Sequence, residues 1–236
     1  MISIITFASS SKGNMFLLTN EETNILLECG LNEKEIRKNL FNKKLMISDL
    51  NACLISHIHQ DHSLGVDYVS DYIDTYSTYE LADKFEKVKA IQVLKPFKIG
   101  TIKILPIPVE HGKTQNNAFV FMDKDSCVFW GTDFSLMQQN VSNFKFDRIF
   151  IELNYDDDMI KDFVNDEESE NHKKYIRQIS THMSKENCKE HLRHMNLSNC
   201  KEIILLHASS FLLSKNNIKE EFEQEFKIKT SFGKEK

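Results

Sequence analysis

Glycine and proline are scarce in this chain, at seven and three among 236 residues. That scarcity excludes a collagen-like repeat and leaves no Gly- or Pro-rich linker along which to divide the chain. Five cysteines form no Cys-x-x-Cys pair and leave an odd count, which argues against a disulfide scaffold and for a reducing, cytoplasmic setting. Cys29, Cys53 and Cys127 lie in or beside apolar runs and read as small core residues. No apolar run is long enough to cross a bilayer, so no membrane partner is expected. The opening segment Met1 to Phe7 has no basic region and reads as a strand, so no signal peptide is expected. Positive charge is also short: the net charge of −5 argues against a protein that coats nucleic acid, although a local basic patch remains compatible with it.

The chain does have the composition of a soluble globular protein, with 41% hydrophobic and 28% charged residues. Its length fits one domain spanning 1–236. The stretch Ser56-His57-Ile58-His59-Gln60-Asp61-His62-Ser63 stands out, with three histidines and one aspartate inside six residues. It follows the apolar run Ala52-Cys53-Leu54-Ile55, which reads as a buried strand. Side chains two apart share a face of an extended chain, so His57 and His59 are expected side by side. Asp61 and His62 then fall in the turn that leaves the strand. Imidazole and carboxylate together suit divalent zinc, manganese or iron. Four donors in so short a stretch exceed what one open site takes from a single segment, so the spacing suggests two metals on one loop.

Further candidates end other predicted strands. His111 closes Ile104 to Glu110, Asp133 follows Val128 to Thr132, and His207 follows Ile203 to Leu206. Strands are also expected at 2–7, 15–19, 24–28, 75–77, 118–122 and 147–153, and 98–104 reads as two strands turning at Gly100-Thr101. Helical patterns cover about 33–40, 64–69, 79–85, 157–164, 170–179, 185–194 and 217–226, with Ser184 as an N-cap. The class is therefore mixed α/β.

The His-x-His-x-Asp-His pattern resembles that of the metallo-β-lactamase superfamily of metallohydrolases. This resemblance implies an αβ/βα sandwich, two mixed sheets flanked by helices. It implies that His57, His59 and His111 hold one ion, that Asp61, His62 and His207 hold a second, and that Asp133 bridges both. The cofactors would be two divalent ions, Zn2+ or Mn2+, about 3.5–4 Å apart and sharing a hydroxide that attacks phosphorus. Glu28, where the superfamily usually has Asp, would orient a metal ligand from behind.

Asp133 argues against the lactamase branch that places Cys there. Ser9-Ser10-Ser11-Lys12-Gly13-Asn14, Ile151 to Asp156 and Thr181-His182-Met183-Ser184 resemble the YycJ-like nuclease branch and, more widely, PhnP-type phosphodiesterases. That branch usually has a Gly before the last His and a His at position 155, so this chain departs from it at both places. By this resemblance the catalytic residues are His182, Asp61 and Asp133. His182 would protonate the leaving oxygen or bind the phosphoryl group. Ser10, Lys12, Asn14 and Asn154 would line the substrate mouth, with Glu152 either beside Asn154 there or in a structural hydrogen bond. A dinuclear phosphodiesterase is expected, with nucleic acid as partner and DNA exonuclease-like activity. The alternatives are a small-molecule cyclic phosphodiesterase, a thioester or lactone hydrolase, and a non-catalytic metal-binding module.

Overall fold

The computed structural model describes residues 1–165, 171–209 and 211–233. The acidic run from Asp156 to Glu170, whose charge density predicts a solvated segment, and the start of the helix expected from Glu170 reach into 166–170, outside the described residues. The chain packs as two compact units. The first holds Met1–Pro108 and Thr114–Ser126; the second holds Val109–Lys113 and Cys127–Gly233.

In the first unit, strands β1 (Ser3–Ala8), β2 (Met15–Thr19) and β3 (Asn24–Leu27) precede helix α1 (Glu33–Phe41). Then come β4 (Ala52–Leu54), α2 (Gln60–Ser63), α3 (Val66–Ser70), β5 (Thr75–Ser77), α4 (Tyr79–Lys84) and β6 (Val88–Ala90). Strands β7 (Phe97–Ile99), β8 (Ile102–His111) and β9 (Thr114–Met122) follow, the last residues of β8 belonging to the second unit. The second unit continues with β10 (Cys127–Gly131), β11 (Arg148–Glu152), α5 (Asp157–Asn165), α6 (His172–Thr181), α7 (Lys185–His194), β12 (Glu202–Leu206), α8 (Lys215–Phe226) and β13 (Lys229–Phe232).

The strands form two mixed sheets. The first has the order β1-β2-β3-β4-β5-β6. Its β1, β2 and β3 are antiparallel, whereas β3, β4, β5 and β6 run parallel. Parallel strands are covered on both faces, which is why Ala52, Cys53 and Leu54 are all buried rather than alternating. In the second sheet, β7 and β8 pair antiparallel within the first unit. Within the second unit the order is β13-β12-β11-β10, all parallel. There Ile203, Leu205, Ile149, Ile151 and Phe129 are buried, each core side chain contributing on the order of 1.5–3 kcal/mol.

Helices close on these sheets by their apolar stripes. The α1 helix starts at Asn32, whose side chain accepts from the Glu35 amide, and it buries Ile36 and Leu40. Ser184 caps α7 as expected, accepting from the Asn187 amide at 3.2 Å. Lys189, nearly buried on α7, is clasped by Glu221 and Glu225 of α8 and lies over the Phe222 ring. Among the described residues no helix is long and apolar enough to cross a membrane.

Several elements differ from the sequence expectation, among them Val88–Ala90, which is strand β6. Asp61 and His62 sit in the single helical turn α2, not in an open turn. The polar tail after Phe226 contains β13, which pairs parallel to β12 from Glu202↔Lys229 to Leu205↔Phe232.

Candidate metal centre

In both units the chemistry gathers where parallel strands end, the edge at which open α/β sheets bind ligands. In the first unit, Glu28 follows β3 and the histidine stretch follows β4. His57 is fully buried and His59 partly so. His57 Nε2 lies 3.0 Å from His59 Nδ1, so the two rings stand side by side as their spacing requires. Ser56 Oγ holds His57 Nδ1 at 2.9 Å, and Thr114 Oγ1 lies 3.4 Å from His59 Nε2. The buried His62 ring is centred 4.2 Å from that of His57.

Behind this cluster stands Glu28, fully buried at φ +60°. Its carboxylate accepts the Ser56 amide at 3.1 Å and lies 3.4 Å from His62 Nδ1. Burial pushes the Glu28 carboxyl above its ordinary pKa, against the opposing pull of His62 and Ser56. A carboxylate standing behind a ring in this way is how a metal-ligating His is commonly oriented. Glu28 thus finds its partner in His62. Asn14, also fully buried, latches the same loop: its Nδ2 lies 2.9 Å from His62 Nε2 and 3.4 Å from Asp61 Oδ2, and its amide donates to the Asp61 carbonyl at 2.7 Å. The approach is so close that a Cβ on Gly30 would stand 1.6 Å from the Asp61 oxygen, so only glycine fits there.

In the second unit, His111 ends β8 and its Nδ1 lies 2.7 Å from the Thr181 carbonyl. A carbonyl only accepts, so Nδ1 carries the proton and Nε2 is left as the donor for a metal. Burial lowers the His111 pKa, with nearby Asp133 pulling the other way, and so favours the neutral ring a ligand needs. Asp133 follows β10 at φ +56° and His207 follows β12 at φ +53°. Non-glycine residues held in this left-handed region mark strain of the kind found at functional sites. His207 Nδ1 is 3.1 Å from both Asp133 Oδ1 and Glu152 Oε1.

Glu152, the last residue of β11, is fully buried and joins these groups. Its Oε1 lies 2.8 Å from His182 Nδ1, and its other oxygen accepts the Phe134 amide. Burial would raise the Glu152 pKa, but the charge and hydrogen bonds of His182 and His207 outweigh it and hold the carboxyl ionised below its usual value. Asp133, Glu152, His182 and His207 each offer a ligand atom, and these atoms lie within 4.8 Å of one another. Imidazoles beside carboxylates form a donor set that suits a divalent ion, so the residues present fit the metals the motif implies.

The four residues expected at the substrate mouth divide. Lys12 is exposed, and Ser10 Oγ accepts the Lys12 amide at 3.3 Å. Asn14 faces the histidine loop as described. Asn154 is buried, donates to the His207 carbonyl at 2.9 Å and accepts from Gln178. Both asparagines are therefore tied to candidate ligands. Cys188, His191 and His194 form no ligand cluster among the described residues: Cys188 is buried, and His194 pairs with Glu190 at 2.8 Å. Glu152, expected with Asn154 at the mouth or in a structural hydrogen bond, is tied to His182 and His207 at the end of an apolar strand, the position Asp133 and His207 share.

Residues 11–131 match the model of the metallo-beta-lactamase superfamily. The chain belongs to this superfamily. A relative is the exodeoxyribonuclease WalJ of Streptococcus pneumoniae, 26% identical over 228 residues, covering 90% of this chain and 82% of that one. Among solved structures, the metallo-β-lactamase fold protein YhfI from Bacillus subtilis superimposes with a TM-score of 0.75 at 16% identity, covering 99% of this chain and 97% of that one. A diphosphatase of the PhnP family gives 0.68 at 15% identity, covering 100% and 96%. The sandwich fold expected from the histidine motif is thus the fold observed. The protein is a metallo-β-lactamase-fold hydrolase with His and Asp residues positioned to bind metal.

Proposed function

We propose that this protein is a dinuclear metal-dependent phosphodiesterase that acts on nucleic acid, with exonuclease-like activity on DNA. The observation that carries this reading is the Glu152–His182 pair at 2.8 Å, set beside Asp133 and His207. Phosphodiester cleavage expels an alkoxide that needs a proton, and a histidine backed by a buried carboxylate can supply one. The likeness to the WalJ exodeoxyribonuclease supports the choice of DNA.

In this reading the two units belong to one catalytic domain. His57, His59 and His111 would hold one ion, Asp61, His62 and His207 the other, and Asp133 both; Zn2+ or Mn2+ suits the donors. When bound, such ions lower the pKa of water towards 7 and polarise a phosphoryl oxygen. The protein's own groups do the rest. Glu28 and Asn14 fix the His62 ring and the Asp61 backbone. Glu152 holds the proton on His182 Nδ1 and stabilises the imidazolium, so that Nε2 can pass a proton to the leaving oxygen. Lys12 and Ser10, on the loop that ends at Asn14, contact the phosphate.

A parallel assay tests this: metal-loaded protein with labelled single- and double-stranded DNA, RNA, bis-p-nitrophenyl phosphate, a thioester and a lactam. Turnover of phosphodiesters, with DNA among them, is the expected result. Turnover of the thioester with none of any phosphodiester would overturn the reading.

A further inference from the structure

The parallel strands of the first unit carry a second set of residues at the edge that bears the histidine loop. That loop leaves the end of β4, Thr78 and Tyr79 leave β5, and the segment Ile91–Lys95 leaves β6, its Ile91 amide bonded to the Ser77 carbonyl. Two strand spacings separate the ends of β4 and β6, about 10 Å. Tyr79 is 58% exposed, and Val93 and Leu94 are 42% and 51% exposed. Leu94 is held at φ +59°, a conformation rare for a bulky side chain, with its amide bonded to the Pro106 carbonyl. The apolar tip of this loop is therefore presented to solvent under backbone strain.

Charge concentrates along the segment on either side of this loop. Residues 84–103 contain six lysines and one acid, Glu86, a local +5 in a chain of net −5. Lys87 and Lys89 pair with Asp71 and Asp74. Lys95, Lys98 and Lys103 are exposed and make no ion pair among the described residues. Lys98 and Lys103 stand directly opposite each other across β7 and β8, where like charges destabilise unless an anion lies between them. Phe97, the first residue of β7, packs on Tyr76 of β5 with ring centres 5.7 Å apart, and the Thr101 amide bonds Thr23 Oγ1 just before β3, so the lysine-bearing hairpin runs from the Leu94 loop towards the far end of the sheet. Glu80, beside Tyr79 on α4, is engaged with the Gln115 amide.

Lysines on edge strands also discourage sheet-to-sheet association, and that role alone would account for Lys98. It does not account for a strained, exposed Val93–Leu94 tip or for an exposed tyrosine between that tip and the histidine loop.

We infer that Tyr79, Val93, Leu94, Lys95, Lys98 and Lys103 form a docking track along which a single strand of nucleic acid reaches the histidine loop. Its phosphates pair with the three lysines, and a base stacks on Tyr79. Single strands are held in this way, by cations along the backbone and aromatic faces for the bases. The inference rests on the phosphodiesterase reading and adds to it the strandedness of the substrate and its path.

The test is fluorescence anisotropy with the metal-loaded full chain and a labelled phosphorothioate oligothymidylate that resists cleavage, titrated at several salt concentrations. Replacing Lys95, Lys98 and Lys103 together by Gln should weaken binding at least tenfold. It should also flatten the slope of log K against log salt by about 2, at roughly 0.7 per lost phosphate contact. Tyr79→Ala should weaken binding about tenfold and leave the slope unchanged. Thermal melting and metal content confirm that each variant is folded and loaded. Affinity and slope equal to wild type in the triple variant would overturn the inference. So would lysine-dependent binding to phosphatidylserine vesicles with none to the oligonucleotide, which would make this a membrane patch. A wild-type protein that hydrolyses bis-p-nitrophenyl phosphate but does not bind the oligonucleotide removes the track and leaves the phosphodiesterase reading standing. One that hydrolyses no phosphodiester removes both.

Discussion

Oε1 of Glu152 lies 2.8 Å from Nδ1 of His182, although 30 positions separate the two residues in the chain. Strand β11 ends at the first and helix α6 ends at the second, so the pair exists only because both ends meet on one edge. In the proposed reaction, His182→Ala should keep the fold and the metals and lose about 10²–10⁴-fold in rate on DNA. The loss should shrink for bis-p-nitrophenyl phosphate, whose leaving group needs little protonation. An equal loss on both substrates points to phosphate binding instead. Glu152→Gln should lower activity about 10–100-fold, the scale for a group that orients a ligand or a catalytic base.

Glu28 binds the Ser56 amide and His62 Nδ1 together. Glu28→Ala leaves the Ser56 amide buried without its acceptor, at a stability cost of about 1–3 kcal/mol. It also frees the His62 ring, so metal affinity should fall about 10–100-fold. Denaturant melts and chelator competition measure the two effects separately. Unchanged metal affinity would show that His62 is oriented by other groups.

The contact between helices α7 and α8 should weaken in acid. Burial would raise the Glu225 pKa, but hydrogen bonds and charge from Lys189 and Arg193 outweigh it and hold the carboxyl below its ordinary 4.5. The stabilisation is therefore fully present above 4.5 and is lost as pH falls through the lower folded value. Lys189→Met should weaken the protein at pH 7 and flatten this acid limb. Stability curves from pH 7 to 2.5 check both, and an acid limb unchanged in the variant would contradict the assignment.

The sandwich and the histidine loop were legible because ligand spacing and apolar strands are local signals: His57, His59, Asp61 and His62 declare themselves within one segment. The elements that were missed draw their order from tertiary contacts. Val88–Ala90 is short and carries a lysine, and it becomes strand β6 only by pairing with β5. Lys229–Phe232 is polar and becomes β13 against β12. Asn14 and Asn154 read as residues facing a substrate. Their burial against Asp61, His62 and His207 follows from close packing, as of Gly30 against the Asp61 backbone, which sequence spacing does not encode.

The most direct measurement of the dinuclear phosphodiesterase account is a titration of metal-free protein with Zn2+ or Mn2+, following bound metal and bis-p-nitrophenyl phosphate hydrolysis together. Activity should rise to a plateau at two ions per chain, with Asp61→Ala losing mainly one ion and His59→Ala mainly the other. A plateau at one ion per chain, or two bound ions with no hydrolysis of any phosphodiester, would contradict it.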